Sequence, residues 1–240
     1  MWYYTSRKDD SEVIDKLNEL AEKHPTRGFD HYFGRIRNEG LVWNHKRVKR
    51  VYKLLGLNIR RKRKKRVPAR VKEPLVQTER INQIWSMDFM SDALVSGRKV
   101  RLLNVMDDFN REVLNIEADI SIPGERVTRV LEQIIDWRGK PEEIRVDNGP
   151  EFLSWAFVSY CSERNIRIRY IQPGKPVQNA YIERLNRTIR EDILDAYLFE
   201  NLTQLRILIE KWMEDYNNDY PHQSLSGKSP KAYAVNSGKL

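Results

Sequence analysis

Hydrophobic positions along the chain fall into two regimes. Up to about residue 56 they recur at helical spacing, and from residue 83 they alternate or run together as they do in strands. Val13, Ile14, Leu17, Leu20 and Ala21 predict a first helix, with Ser11 as N-cap and His24-Pro25 as its end. A second helix is predicted from about Asp30 to Arg37, closed by "NEG". The third is "NHKRVKRVYKLLG", with Asn44 as cap and Gly56 as stop. Val48, Val51 and Leu55 line one of its faces, while Lys46, Arg47, Lys49, Arg50 and Lys53 crowd the remainder. A small helical domain ending in a basic helix has the form of helix-turn-helix DNA readers. A merely solvated basic face would have the same pattern.

Beyond residue 83, "QIWSMDFM" and "VRLLNVMDD" predict two strands around a hairpin turn in "SDALVSGRK". "EVLNIEAD" predicts a third after a turn at Phe109 to Arg111. A helix follows from about Gly124 to Trp137, with Val127, Val130, Leu131, Ile134 and Ile135 inward. A fourth strand leads into Asp147, a helix runs from about Leu153 to Arg164, and "IRIRYI" is a fifth strand. After a Pro/Gly loop, a long helix is expected from about Asn179 to Leu194. Three strands followed by strand–helix alternation imply an α/β mixed sheet with helices on both faces. The expected organisation is a helical domain over 1–59, a basic linker over 60–80, an α/β domain over 81–200, and a C-terminal helix and tail over 201–240.

Charge sharpens this division. The net charge is +9, but residues 1–80 hold 22 Lys/Arg against 10 Asp/Glu, and residues 81–240 hold 21 against 24. The whole basic excess therefore lies in the first third, which marks a polyanion-binding region joined to something else. Its extreme is "RRKRKKR", residues 60–66, where Arg60, Arg61, Lys62, Arg63 and Lys64 lead a run that can only be solvated or lie on phosphates. The single cysteine, Cys161, excludes an internal disulfide and a Cys-based zinc site. No stretch approaches the roughly 18 apolar residues of a membrane helix, and "MWYYTSRKDDSEV" lacks a signal-peptide layout. A cytoplasmic setting is the expectation.

Three carboxylates carry the candidate chemistry. Asp88 lies among apolar strand residues, where an unpaired charge is costly; Asp147 ends a strand; Glu183 lies near the start of the long helix. Strand ends and helix starts converge on one edge of an α/β sheet, where ligands bind. Carboxylates brought together there repel, and protonation or a bound cation relieves the repulsion. Oxygen-only donors suit Mg²⁺ or Mn²⁺. On the long helix, Asn179, Glu183, Asn186, Arg187 and Arg190 form one polar face, and Ile182, Leu185, Ile189 and Ile193 form the apolar one. Each residue alone has an ordinary reading: Asp147 as a turn residue before Asn-Gly-Pro, and Glu183 as half of a Glu–Arg pair. Asp107 and Asp108 read as a strand end before a turn, Asp92 and Glu151 as turn and helix-start residues, and His222 as structural. Gln178 and Asn179 are placed to shape the site.

Spacing and motifs together go further. "WSMDFM", "VDNGPEF" and "PGKPVQNAYIERLNRTIRED" resemble the catalytic core of bacterial insertion-sequence transposases, members of the retroviral-integrase superfamily with its ribonuclease-H-like fold. Thirty-five residues separate Asp147 from Glu183, as in that family's Asp-Asp-(35)-Glu arrangement, and Arg190 matches the basic residue that members place on DNA. "YNNDYPHQSLSGKSPKAY" is similar to the family's terminal segment, with Tyr220 where an arginine is usual. "GLVWNHKRVKRVYKLLGL" resembles the helical domain that precedes the core in second-reading-frame products.

The resemblance implies a DNA transposase working by metal-dependent strand cleavage and strand transfer. Asp88, Asp147 and Glu183 are then catalytic metal ligands for two Mg²⁺ or Mn²⁺ ions. Arg187, Arg190, the basic helix and the basic run are implied DNA contacts. The implied partners are double-stranded DNA at element ends and target, further copies of the chain on paired ends, and a first-reading-frame DNA-binding segment; the setting is bacterial and nucleoid-associated. The competing readings are a ribonuclease-H-like nuclease that hydrolyses without strand transfer, and a non-catalytic DNA-binding regulator.

Overall fold

The computed structural model describes residues 9–58, 78–172 and 176–236. Arg60, Arg61, Lys62, Arg63, Lys64 and most of the expected linker lie outside the described residues. The chain divides into two compact units, Met1–Pro68 and Ala69–Leu240.

The first unit contains α1 (Ser11–Lys23), α2 (Phe29–Asn38) and α3 (His45–Leu54). Its core is Val13, Leu17, Leu20, Tyr32, Ile36, Val48, Val51 and Tyr52. Asn44 caps α3 as expected, its side chain accepting from the Lys46 amide, and Gly56 at φ +68° closes that helix in a conformation costly for other residues. The start of α1 differs from expectation. Ser11 is already helical and Asp10 is the N-cap residue, without a side-chain capping bond; the Ser11 amide and hydroxyl both donate to Asp9 Oδ1.

The second unit is a five-stranded sheet in the order β3-β2-β1-β4-β5. Its strands are β1 (Ile84–Ala93), β2 (Lys99–Asp107), β3 (Val113–Asp119), β4 (Glu143–Val146) and β5 (Arg167–Tyr170). The β1–β2 and β2–β3 pairs are antiparallel, while β4 and β5 run parallel to β1. The expected mixed sheet is therefore what forms, and β1 is its central strand.

Helices cover both faces because alternate strand residues bury on opposite sides. On one face, α4 (Gly124–Arg138) and α5 (Trp155–Glu163) pack through Val127, Leu131, Ile134 and Phe157 onto Trp85, Met87, Leu103 and Val105. On the other, α6 (Ala180–Ile189) and α7 (Leu202–Asp219) pack through Ile182, Leu185, Leu205 and Ile209 onto Met90, Leu102, Met106 and Ile116. The long helix expected to Leu194 is regular only to Ile189, and a wider π turn continues over Arg190–Leu194. That turn still buries Ile193 and Leu194, which is why the apolar spacing reads as uninterrupted. The C-terminal segment folds back as α8 (Pro230–Asn236).

His222 and Tyr220 lie in this segment. Tyr220, at the position where the resemblance expects arginine, is buried against the rings of Tyr216 and His222, each at 4.9 Å. Burial, followed by the charges of Arg184 and Arg111, depresses the His222 imidazole from 6.5 to about 3. The folded state thus refuses a proton that the unfolded state takes up as pH falls through 6.5. Stability from this residue is complete above about pH 6.5 and declines down to about pH 3, by at most about 1.4 kcal/mol per pH unit. His222→Gln is expected to flatten the fall in urea-unfolding free energy between pH 6 and 4 relative to wild type. Parallel slopes in the two proteins would refute this.

Candidate active site

β1 carries Asp88 at its centre, directly opposite Asn104 of β2 in the antiparallel register. Side chains alternate along a strand, so Asp88 and Asn104 share the face covered by α6. Asp147 is the first residue after β4, the parallel neighbour of β1, and Glu183 lies in the first turn of α6. These are the positions expected from the sequence. The sheet order brings the three elements to one region, because β4 lies beside β1 and α6 packs across β1 and β2.

Asp88 is the half-buried member, whereas Asp147 and Glu183 are exposed. Burial, first of all, pushes the Asp88 carboxyl up to about 6, and the charges of Asp147 and Glu183 push in the same direction. The Phe89 amide and Asn186 oppose the shift by donating to the two Asp88 oxygens, at 2.9 and 2.7 Å. Asp147 Oδ1 accepts from the Gly149 amide at 2.9 Å, which ties the carboxylate to its own turn. Among the described residues, no three His, Cys, Asp or Glu side chains form a ready-made cation cage.

The donor chemistry nevertheless fits a hard divalent cation: three carboxylates, one of them destabilised as an anion by burial and, after that, by the charges of the others. Asn186 Nδ2 holds Asp88, Asn104 Nδ2 donates to Asn186 Oδ1 at 2.7 Å, and Asn104 Oδ1 has no partner among the described residues. This amide chain ties β1, β2 and α6 together one helical turn from Glu183. The sequence pattern does not single out Asn104; its one signal is a lone amide in the apolar run "VRLLNVMDD".

The remaining candidates sort clearly. Asp107 and Asp108 are fully buried and structural. Asp107 accepts from the Asn82 and Phe109 amides, and Asp108 accepts from Ser86 and Arg145. Asp92 is partly buried and accepts from the Ala93 amide, and Gln178 accepts from the Gln172 amide. Asn179 is buried immediately before α6, with Oδ1 lacking a partner among the described residues. Glu151 is held by Arg101. Arg187 is exposed, and Arg190 donates to the Ser91 carbonyl at 2.9 Å and lies 3.7 Å from Asp195. In the helical unit, Lys46, Lys49 and Lys53 are exposed on α3. Arg47 and Arg50 are clipped to Asp10 at 2.9 and 2.5 Å.

Comparison with known proteins gives the family. An integrase core domain model matches residues 78–176, and a second model of the same description matches residues 164–230. The 31.7 kDa protein of insertion element IS407 from Burkholderia multivorans is 37% identical over 235 residues, spanning 97% of this chain and 85% of that protein. The 39.2 kDa protein of insertion element IS476 from Xanthomonas euvesicatoria is 38% identical over 221 residues; there the match spans 92% of this chain but 64% of the relative. Among solved structures, the dimeric form of the HTLV-2 integrase catalytic core in complex with magnesium aligns with a TM-score of 0.52 at 26% identity, covering 64% of this chain and 97% of that one. The sheet order, the flanking helices and these matches agree: this chain belongs to the bacterial insertion-sequence transposases, with a ribonuclease-H-like core of the integrase type.

Proposed function

We propose that the chain cleaves DNA strands at the ends of an insertion sequence and joins them to a target, using Asp88, Asp147 and Glu183 to hold two Mg²⁺ or Mn²⁺ ions. The observation that carries this is the placement of the three carboxylates, Asp88 on β1, Asp147 directly after the neighbouring β4 and Glu183 in the first turn of α6, which packs across β1 and β2; burial, and after it the charges of Asp147 and Glu183, push the Asp88 carboxyl up. Such a cluster gains most from a divalent partner. The magnesium complex of the related viral integrase core supports the choice of metal. When bound, the ions supply Lewis-acid stabilisation of the phosphorane-like charge and a sharpened oxygen nucleophile.

The chain's own residues do the positioning. Asn186 and the Phe89 amide orient the two oxygens of Asp88, and Gly149 orients Asp147. Arg187 and Arg190 offer guanidinium groups one and two turns beyond Glu183, at a spacing suited to phosphates beside the carboxylates. No covalent enzyme intermediate is used. Water first displaces a 3′-oxygen at the element end, leaving a free 3′-hydroxyl. That hydroxyl then attacks a target phosphodiester and releases the target's own 3′-hydroxyl.

The helical unit and the basic run at residues 60–66 grip double-stranded DNA, and copies of the chain assemble on paired ends, with or without a first-reading-frame segment. The functional domains proposed are 1–59 for DNA binding, 60–80 as linker, 81–200 for catalysis and 201–240 as the supporting tail. Among the described residues, no helix is long and apolar enough to cross a membrane. For α3, substituting both Lys46 and Lys53 by Ala should lower the slope of log affinity against log salt by roughly 2, since each lysine that neutralises a phosphate contributes about one unit. An unchanged slope would remove α3 from the DNA interface.

The overall proposal is tested with duplexes carrying the terminal repeats, the chain and Mg²⁺. Nicking followed by joined product, both abolished by chelation, is expected. Nicking with no joining under any divalent ion would favour the hydrolytic nuclease reading.

A further inference from the structure

Arg101 and Glu151 form a pair that the carboxylate chemistry does not use. Arg101 is on β2, opposite Ser91 of β1, and Glu151 lies on the turn between Asp147 and α5. Arg101 Nη1 donates to Glu151 Oε1, and the side chains are only 32% and 14% exposed. The same guanidinium sits 4.2 Å from the centroid of the Phe89 ring, within cation–π range. Phe89 in turn packs against fully buried Phe152, with centroids 5.2 Å apart.

Both flanks of this cluster are covalently adjacent to the candidate centre. Phe89 follows Asp88, and its amide donates to Asp88 Oδ1. On the other flank, a Cβ on Gly149 would lie 3.0 Å from Asp147 Oδ1 and 3.4 Å from Glu151 Oε2, so Gly149 separates the two carboxylates narrowly. The amides of Phe152 and Leu153 both donate to the Gly149 carbonyl, closing the turn. Side chains alternate on β1, so Phe89 and Arg101 hold the turn from the face opposite Asp88. Burial raises the Glu151 carboxyl, but the Arg101 hydrogen bond, a hydrogen bond from its own backbone amide and the Arg101 charge together outweigh it and hold the group below its ordinary value.

We propose that Arg101 is a positioning residue: acting through Glu151 and Phe89, it fixes the turn that carries Asp147 against the strand that carries Asp88. The inference rests on the carboxylate reading given above. Supporting side chains of this kind typically change metal affinity 10–100-fold when removed, although they touch neither metal nor substrate.

The test uses the full chain, with Mn²⁺ as probe by electron paramagnetic resonance and amide hydrogen exchange as a readout independent of metal. Arg101→Ala is expected to weaken Mn²⁺ binding by about 10-fold or more and to speed exchange at Gly149, Phe152 and Leu153. Exchange in the centre of β2 should stay as in wild type, and Arg101→Lys should recover part of the Mn²⁺ affinity. Glu151→Ala should reproduce the effect, with the double variant no worse than either single, because both act through one contact; it also carries the test should Arg101→Ala fail to fold. Wild-type Mn²⁺ affinity and unchanged Gly149 exchange in these variants would overturn the proposal. Asp147→Asn separates the two layers. If it loses Mn²⁺ while Arg101→Ala does not, only the positioning role fails; if it too binds Mn²⁺ normally, the carboxylate centre itself fails.

Discussion

Asp147→Asn is expected to lose both strand cleavage and joining by about 10³-fold or more, while DNA affinity stays within about twofold of wild type. A metal-assembled site supplies several kcal/mol of transition-state stabilisation, and each factor of ten in rate is worth about 1.4 kcal/mol. Asn keeps the shape of the side chain and can still accept the Gly149 amide hydrogen bond, so the turn should survive. Only the charge is removed. Because Asp147 is exposed, the substitution leaves no buried group unsatisfied and should not lower the melting temperature. Single-turnover cleavage beside a filter-binding isotherm reads both quantities. Activity within threefold of wild type would remove Asp147 from the chemistry.

Arg145→Ala is expected to have the largest effect on stability, about 3–5 kcal/mol, the usual cost of leaving one partner of a buried ion pair behind. Arg145 is on β4, a strand buried on both faces, and its Nη1 lies 2.7 Å from Asp108 Oδ2. The two side chains are 3% and 0% exposed. Ser86 Oγ donates to the other Asp108 oxygen at 2.6 Å, so the carboxylate just beyond the end of β2 joins β1 and β4. Burial pushes the Asp108 carboxyl up even with Arg145 beside it. Without the guanidinium, that carboxylate keeps the Ser86 hydroxyl and the charge of Arg111, which makes no hydrogen bond to it among the described residues. A folded domain holds about 5–15 kcal/mol in total, so the loss should be plain in urea unfolding followed by Trp fluorescence. The deficit should shrink as pH falls and Asp108 protonates. A midpoint equal to wild type at pH 7 would contradict the role given to this pair. Replacing both partners by Leu and Met should restore most of the stability, since apolar packing commonly matches a buried ion pair.

Elements and candidate carboxylates were legible where local pattern decides them. Strand alternation, the Asn44 cap and the Gly56 stop follow from backbone chemistry within a few residues. So does the placement of Asp88, Asp147 and Glu183 in a strand, at a strand end and near a helix start. What was not legible depends on register or on partners far along the chain. Asn104 meets Asn186 across 82 residues, which needs α6 docked on β2, and Arg101 meets Glu151 across 50, which needs β4 and its following turn set beside β1 and β2. Arg47 and Arg50 read as surface charges, yet they pair with Asp10 from 37 and 40 residues away. The break in α6 at Ile189 was hidden because a π turn keeps Ile193 and Leu194 inward. The start of α1 lies one residue earlier than expected, at Asp10, with the Ser11 amide donating to Asp9 Oδ1.

The claim that Asp88, Asp147 and Glu183 act as one centre is tested most directly by cleavage and joining rates in Asp88→Asn, Asp147→Asn, Glu183→Gln and the triple variant, at matched DNA occupancy. If the three ligate the same ions, each single variant should fall to the residual rate of the triple, because removing any member disables the unit. A single variant that retains cleavage well above the triple, or effects that simply multiply, would contradict a shared metal centre.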